Sequence, residues 1–279
     1  MTKIQCPTPV AILMATYNGE KYISAQIESV INQKFDKWTL YIRDDGSTDS
    51  TPDIIEKYAT AYPDKIIQID KGGSNIGCND NFYMLLEAVD SEYYMFCDND
   101  DVWTLDKVGT LIKTIHDKEL QHPDIPIIVH HDVTVCDENL NVIHDSLWKS
   151  INIKPWKFNT FNLLMTTPIV AGATSIFNHH VKQYVFPIPS NKRIMYDHWI
   201  ALCTVKHGKI FCIENRFNLY RQHEGQVCGL ESMQNNACSI EVLKRKITNW
   251  TRDAQLFHTI GVPKWKFFYY KIKSNIIKS

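Results

Sequence analysis

The sequence predicts an α/β protein with a mostly parallel central sheet covered by helices. In the first half of the chain, short apolar runs alternate four times with segments whose apolar residues recur at helical spacing. Each predicted strand is a continuous apolar run, which is typical of strands that are covered on both faces. Polar clusters directly follow three of these strands, and ligands of such sheets bind at the carboxyl ends of the strands. The same pattern therefore predicts a binding site on one edge of the sheet.

The four strand-helix units follow one another in order. The first is the strand "PVAILMATYNG" with the helix "YISAQIESVINQ". The second is the strand "WTLYIRDDGSTDS" with the helix "IIEKYATAY", and Pro52 stands where that helix is expected to begin. The third is "KIIQID" with "NFYMLLEAV", and the fourth is "EYYMFCDNDD" with "LDKVGTLIKTI".

Beyond residue 126 the alternation stops. The sequence there predicts a hairpin in "IPIIVHHDVTVCDENLNVI", a mixed region to about residue 195, a helix in "DHWIALCTVKHG" and two strands, "KIFCI" and "FNLYRQH". Residues 1–240 are expected to form one domain, with a first half, 1–125, and a second half, 126–240. Residues 241–279 are expected to form a small helical appendage.

Composition excludes several classes of protein. A chain of 279 residues that is 44% hydrophobic can bury a core without a structural metal or disulfides. The eight cysteines show no CxxC pair and no His/Cys ligand spacing, so a zinc module is not expected and a reducing cytoplasm is predicted. The early run "VAILMA" is too short for a signal peptide, and "LLMTTPIVAGATSIF" is too short to span a bilayer.

The charge is distributed unevenly along the chain. Its net value is −1, but residues 241–279 hold nine Lys and Arg against Glu241 and Asp253, so this segment carries +7 and residues 1–240 carry −8. The segment also contains the aromatic run "KWKFFYYKIK". It could be a solvated pair of basic helices, or it could attach to an anionic membrane surface. A nucleic-acid partner is not predicted.

The densest polar feature is "FCDNDDVW", in which Asp98, Asp100 and Asp101 follow a predicted buried strand. Carboxylates this close repel one another unless they are protonated or neutralised by a cation, and oxygen ligands suit Mg²⁺ or Mn²⁺. A solvated acidic loop or a helix cap is the alternative. A calcium loop of the EF-hand type is excluded because Val102 and Trp103 occupy its required Asp/Asn and Gly positions.

The other strand ends carry candidate nucleotide contacts. Asp44 and Asp45 could form a turn or could bind a base or ribose. Tyr17, which follows Thr16, could belong to the core or could stack on a base. Lys71, next to "GGSNIG", could contact a phosphate or sugar or could lie in a solvated loop.

The ordered series "ILMATYNGEKYISAQIESVINQ", "IRDDGSTDST", "SNIGCNDNF" and "FCDNDDVWTLDKV" resembles inverting glycosyltransferase family 2, specifically its bacterial rhamnosyltransferase-like O-antigen and capsule enzymes. The likeness continues through "VAGATSIFN" and "YDHWIALCTVKHGKIFCIENRFNLYRQHEG" and covers roughly residues 8–229. It implies a GT-A fold with a Rossmann-like sheet, and a nucleotide-sugar donor, UDP- or dTDP-linked, bound by residues 1–125. The acceptor, a glycan or a lipid-linked saccharide, would bind residues 126–240.

The resemblance also implies roles for single residues. Tyr17, beside Thr16, would stack on the base, and Asp45, with Asp44 nearby, would hold that base. Asp98 would contact the ribose beside the metal, and Asp100 would bind the Mn²⁺ or Mg²⁺ that bridges the diphosphate. Two further matches are Asp197 with the catalytic base and His223 with a histidine near the diphosphate. From the residues alone, His223 could be a metal ligand, a phosphate donor or a histidine of a surface loop. The chain departs from the family at Asn99, where Gln or Ala is common, and at Gln226, near an expected Asn.

The chemistry of sugar transfer requires a base that is separate from the acidic cluster, and Asp197 suits that role. Displacement of a nucleoside diphosphate from a sugar leaves negative charge on the diphosphate, and a carboxylate elsewhere must take the proton of the attacking hydroxyl. Asp197 begins a predicted helix, so a helix cap is its alternative role.

Two other functions compete with a transferase. "DNDDV" also fits a phosphohydrolase of the haloacid dehalogenase type with Asp98 as the nucleophile. The carboxylates could also belong to a nucleotide- or glycan-binding module without catalysis. His130 and His131 alternate on a predicted strand, so only one of them is expected to face the core or the site, and neither is assigned a role.

Overall fold

The computed structural model describes residues 3–71, 73–189, 194–224, 226 and 240–278, and for residues 240–247 and 278 it describes the backbone alone. The strands in these ranges are β1 (Ile4–Gln5), β2 (Val10–Thr16), β3 (Trp38–Asp44), β4 (Ile66–Gln68), β5 (Val89–Asp90), β6 (Tyr93–Cys97), β7 (Val102–Trp103), β8 (Ile127–Cys136), β9 (Val142–His144), β10 (Ser175–Asn178) and β11 (Lys209–Arg221).

The helices in the same ranges are α1 (Ile23–Ile31), α2 (Thr51–Ala61), α3 (Cys78–Ala88), α4 (Lys107–Gln121), α5 (Leu147–Ser150), α6 (Phe161–Leu164), α7 (His179–Val185), α8 (Tyr196–His207), α9 (Ile240–Thr259) and α10 (Lys264–Lys278). Short 3₁₀ turns cover Pro155–Lys157 and Gly172–Thr174.

The main sheet has the strand order β4-β3-β2-β6-β10-β8-β11-β7, and β9 pairs with β8. Strands β4, β3, β2 and β6 are parallel, which confirms the four predicted strand-helix units. β10 runs antiparallel to β6 and β8, and β7 runs antiparallel to β11. The sheet is therefore of the predicted α/β type, but its second half is mixed.

Two predictions about the second half change. "KIFCI" and "FNLYRQH" form one strand, β11, which stays paired with β8 through register shifts on either side of Arg216. Such irregularities let a long strand bend without ending. His130 and His131 are both buried, because helices cover both faces of the sheet; His130 packs edge-on against Trp148 and His131 against Phe217. The prediction that only one of them is covered is wrong.

Apolar side chains cover both faces of the sheet. On one face Ile27 of α1, Ile55 of α2 and Leu111 of α4 pack against the strands. On the other face Phe82 of α3 and Ile200 of α8 do so, together with α7. The apolar periodicity of each helix thus turns one stripe toward the sheet and leaves the strand ends free to carry polar loops.

The appendage packs against the body through its own apolar cluster. Phe257 of α9 and Phe267 of α10 join Leu164 and Leu202 there. The side chains of Lys244, Arg245 and Lys246 lie outside the described residues, as do residues 227–239, so the boundary at residue 240 stays a prediction. No helix in the described ranges is long and apolar enough to cross a membrane.

Candidate active site

The polar clusters that follow β2, β3 and β6 meet on one rim. The backbone N–H of Asn18 donates a hydrogen bond to Ser47 Oγ (2.8 Å), and the N–H of Thr48 donates to Asn18 Oδ1 (2.9 Å). Asn99 Nδ2 donates to Thr16 Oγ1 (2.8 Å), which joins the β6 loop to the same rim. Parallel strands dictate this convergence, because their carboxyl ends lie at one edge.

The position of Tyr17 on this rim leaves its ring accessible. The residue is 50% exposed, whereas Thr16 before it is buried. Gly19, two residues further, packs so closely that a Cβ there would lie 2.2 Å from Asn99 Nδ2. The rim therefore holds a free aromatic face beside a tightly packed loop, and the stacking of Tyr17 on a base stays a prediction.

Asp44 and Asp45 both form hydrogen bonds within the chain. Asp44 accepts from the N–H and the Oγ of Ser47, as a turn former does. Asp45 is buried and accepts from Arg43 Nη1 and from the backbone N–H groups of Ile76 and Gly77, each at 2.8 Å. Asp45 thus fixes the loop after β4 to the rim, while its predicted contact with a base is untested.

Arg43 is a residue that the sequence interpretation missed. It is 1% exposed, and besides Asp45 it donates to Asp70, Asn81 and the carbonyl oxygen of Ser74. A guanidinium buried this deeply requires such partners. Its signal in the sequence is an arginine near the end of the apolar run "WTLYI".

Lys71 lies apart from the other predicted residues. Its Nζ is 3.5 Å from Glu56 Oε1 of α2, and its side chain is largely exposed. Among the contacts of the described residues, none joins Lys71 to Asp98 or Asp100. Its predicted phosphate contact is not supported by this position and stays a prediction.

The acidic cluster after β6 has perturbed pKa values. Burial first, and then the charges of Asp100, Asp101 and Asp197, raise the pKa of Asp98 well above its ordinary value. Burial and the charge of Asp100 raise the pKa of Asp101 to about 7. A bound cation would offset the repulsion among these carboxylates, so the cluster fits a cation-binding role.

Asp101 fastens the acidic loop to β11. Its carboxylate accepts hydrogen bonds from Asn218 Nδ2 (2.9 Å) and from the N–H of Arg221 (3.2 Å). Arg221 Nε also donates to the carbonyl oxygen of Asp100 (2.7 Å). The three carboxylates therefore differ, since the carboxylate of Asp101 is already used in hydrogen bonds to β11.

Lys107 is a buried cation behind this cluster, and the sequence interpretation missed it. Its Nζ donates to the carbonyl oxygen of Ala173 (2.6 Å) and to Asn218 Oδ1 (2.7 Å), and lies 3.5 Å from the ring centroid of Trp103. Burial lowers its pKa to about 7. The signal is visible in the sequence, because Lys107 stands four residues before Leu111 on the apolar stripe of α4.

His223 contacts the acidic cluster, while its predicted place near the diphosphate is untested. Its Nε2 lies 3.1 Å from Asp100 Oδ2, and its ring packs against Tyr22 at a centroid distance of 4.6 Å. Among the described residues there is no group of three metal-ligating side chains. The metal site predicted at Asp98 and Asp100 therefore stays a prediction, and a cation bound there would need further ligands from diphosphate and water.

Asp197 lies in the first turn of α8 and is partly buried. Its Oδ2 accepts from the N–H of Gly172 (3.0 Å) and its Oδ1 from the N–H of His198 (2.7 Å). Burial raises its pKa to about 6, despite these two donors. Met195 occupies the helix cap, so the alternative role of Asp197 as a cap is wrong.

Asn79 connects the two sides of the site. Its Oδ1 accepts from the N–H of Tyr196 (2.5 Å), and its Nδ2 donates to the carbonyl oxygen of Ile194 (3.1 Å). Asn79 follows directly on the loop that Asp45 fixes. It therefore ties the start of α8, and with it Asp197, to the rim that carries Tyr17.

We expect Asn79→Ala to lower kcat by about tenfold, because the start of α8 would lose both hydrogen bonds to Asn79, and Asp197, the predicted base, would be less well oriented. Donor affinity should change little. Asn79→Asp keeps the acceptor for Tyr196 and should recover part of the loss. The exposed Asn139→Ala is the matched control, and steady-state kinetics with donor titration measure both quantities. Equal kcat values for Asn79→Ala and the control would remove this role.

A comparison with known families shows where this chain belongs. Residues 11–184 match the family described as Glycosyl transferase family 2, which is more than half of the chain. The chain belongs to glycosyl transferase family 2. Family 2 membership confirms the resemblance that the sequence motifs suggested. It leaves the phosphohydrolase alternative without support.

Relatives of this family 2 chain have been named in other organisms. A dTDP-rhamnosyl transferase, RfbG of Shigella flexneri, is 41% identical over 102 residues, which are 36% of this chain and 35% of that protein. A glycosyltransferase of Nostoc sp., alr2836, is 28% identical over 77% of this chain and 65% of its own length. The chain thus spans less than two thirds of these relatives.

Solved structures share the fold of this family 2 chain at low identity. The mannosyltransferase PcManGT from Pyrobaculum calidifontis, in complex with GDP-Man and Mn²⁺, has a TM-score of 0.59 at 16% identity and covers 97% of this chain and 71% of its own. S. aureus TarS 1-349 with UDP-GlcNAc has a TM-score of 0.57 at 16% identity and covers 95% and 71%. The predicted GT-A fold is confirmed.

Proposed function

We propose that this chain transfers a sugar from a nucleotide-diphosphate donor to a hydroxyl of an acceptor, with metal dependence and inversion at the anomeric carbon. The observation that carries the proposal is the placement of Asp197. It is a carboxylate held by two backbone N–H groups, close enough to Asp98 for its charge to raise the pKa of that residue. An acid cluster for the donor and a separate base for the acceptor are what such a displacement needs.

The donor would bind on the rim. Tyr17 would stack its exposed ring on the base, Asp45 would hold that base beside Thr16, and Asp98 would contact the ribose. The GT-A relatives were solved with UDP-GlcNAc and GDP-Man, and a relative is named as a dTDP-rhamnosyl transferase. These names support a nucleotide-sugar donor, and we favour a UDP- or dTDP-sugar.

Asp98 and Asp100 would hold a Mn²⁺ or Mg²⁺ ion, with His223 beside them. The carboxylates suit these ions, and Mn²⁺ accompanies GDP-Man in PcManGT. When bound, the ion would offset the charge of the departing diphosphate. His223 would contact the diphosphate as well, and its ring is held by Asp100 and Tyr22.

Asp197 would act as the catalytic base. Its pKa of about 6 leaves it ionised at neutral pH, yet makes it a stronger proton acceptor than an ordinary aspartate. The N–H donors of Gly172 and His198 fix its orientation. As Asp197 takes the proton of the acceptor hydroxyl, the hydroxyl oxygen would attack the anomeric carbon from the face opposite the diphosphate. The new carbon–oxygen bond would form while the bond to the diphosphate breaks, so a single displacement inverts the configuration.

We assign the acceptor to bacterial surface polysaccharides of the O-antigen or capsule kind, as a glycan or a lipid-linked saccharide. Two further relatives are named as a teichoic acid poly(glycerol phosphate) polymerase and a minor teichoic acid biosynthesis protein, which supports a surface polymer. Residues 1–125 would bind the donor and residues 126–240 the acceptor. The chain would work in the cytoplasm at the inner face of the plasma membrane, with residues 241–279 as its contact.

A thermal-shift screen tests this function. Mn²⁺ together with UDP-, dTDP- and GDP-sugars is added in turn, and the matching donor at about 100 times its Kd should raise Tm by about 5 °C. Mn²⁺ alone and adenosine diphosphate are the controls. If every nucleotide-sugar leaves Tm unchanged in the presence of Mn²⁺, the proposed donor class is wrong.

A further inference from the structure

Helix α10 carries an exposed apolar stripe. Trp265, Tyr269, Ile272 and Ile276 are 71%, 55%, 56% and 68% exposed, respectively. Their spacing of four, three and four residues places all of them on one face of an α-helix. Four large side chains in a continuous row differ from the scattered apolar residues that ordinary surfaces expose.

The opposite face of α10 is docked on the body. Phe267 is 1% exposed and Ser274 is fully buried. Lys271 Nζ donates a hydrogen bond to the carbonyl oxygen of Thr166. Because these contacts fix the rotation of the helix, the apolar stripe points away from the described part of the body.

Lysines surround the stripe. Lys264 and Lys273 are exposed and Lys266 is partly exposed, whereas the sequence of α10 contains no Asp or Glu. A second copy of this helix would bring like charges together, which is unfavourable. An anionic lipid surface attracts the lysines, and Trp and Tyr are favoured at the headgroup level.

We propose that the face formed by Trp265, Tyr269, Ile272 and Ile276 binds an anionic phospholipid bilayer and lies in its interface, with Lys264 and Lys273 contacting the headgroups. The contact would hold the body at the membrane as a peripheral protein. A helix that exposes an apolar row beside cations inserts only to the acyl boundary, so it does not need the length of a spanning helix.

The bilayer contact would also bring a lipid-linked acceptor close to Asp197. This part rests on the proposed function. The segment that anchors α10 includes Thr166, and the carbonyl oxygen of Leu164 contacts His198 Nε2 at 2.9 Å. His198 follows Asp197. The segment continues to Gly172, which donates to Asp197. A bilayer at the stripe would therefore lie on the side of the base, where a lipid-linked acceptor would arrive.

Flotation with phosphatidylcholine vesicles, with and without phosphatidylglycerol, tests the proposal on the full chain. The wild type should float with the anionic vesicles and less so at high salt. Trp265→Gln and Ile276→Gln should each lower the partition coefficient about tenfold. Leu120→Gln removes a side chain that is 72% exposed on α4, and it should leave the partition coefficient unchanged.

The double substitution Lys264→Gln with Lys273→Gln tests the contribution of charge and should also lower the partition coefficient about tenfold. The exposed Lys57→Gln is its control and should leave the partition coefficient unchanged.

Two outcomes would overturn the proposal. One is equal flotation of Ile276→Gln, Trp265→Gln and the Leu120→Gln control. The other is a dimer, detected by light scattering, that Ile276→Gln dissociates, because the stripe would then bind a second copy. Circular dichroism melting identifies any variant that is unfolded. Vesicle binding requires neither donor nor turnover, so it should persist in Asp197→Asn, and its failure is distinguishable from failure of the transferase proposal.

Discussion

Asp197→Asn is expected to lower kcat by about 100-fold or more while donor affinity stays near that of the wild type. The amide has the size of the carboxylate but cannot accept a proton from the attacking hydroxyl. Donor contacts lie on the rim around Tyr17 and Asp98, so binding of the nucleotide should not depend on the base. Steady-state kinetics, together with a thermal-shift titration of the donor, separates the two quantities.

The pH dependence of wild-type activity is a second measurement of the role of Asp197 as the base. The active form of Asp197 is the ionised one, and its pKa is raised to about 6. Activity should therefore fall as pH decreases through about 6 and should level off above it. The residual activity of Asp197→Asn should lack this step.

Asp53→Asn is the matched control, because Asp53 also lies in the first turn of a helix, α2, but is exposed. Its kcat and pH profile should equal those of the wild type. Wild-type turnover in Asp197→Asn would remove the assignment of the base. A chain that binds donor in both forms without any turnover would instead favour the binding module.

The local parts of the fold could be predicted from the sequence. Strands β2, β3, β4 and β6 are read from continuous apolar runs, and the helices after them from apolar residues at helical spacing. The convergence of three loops on one rim followed from parallel pairing alone. The predicted hairpin is present as β8 and β9, because its turn residues are adjacent in the sequence.

The remaining parts depend on pairs that are far apart in the chain. β10 has only four residues and exists because β6 and β8 flank it, so its sequence carries little signal of its own. Asn79 contacts the start of α8 across more than a hundred residues. Arg43 and Lys107 are visible as charges in apolar segments, but their role follows only from their distant partners.

Removal of the metal is expected to abolish transfer. Excess EDTA should lower the rate by about 100-fold or more, and added Mn²⁺ should restore it, because the negative charge that develops on the diphosphate would otherwise be uncompensated. Asp100→Asn should reproduce this loss. In that variant, UDP with Mn²⁺ should no longer raise Tm as the pair does in the wild type.

Asp100 is suited to this test because its carboxylate faces His223, whereas the carboxylate of Asp101 is bound to Asn218 and Arg221. Substitution of Asp101 would therefore weaken the attachment of β11, and loss of metal binding could not be distinguished from loss of structure. The exposed Asp64→Asn is the matched control and should keep both the activity and the Mn²⁺-dependent shift in Tm. Transfer that persists in excess EDTA would exclude the metal role of Asp100.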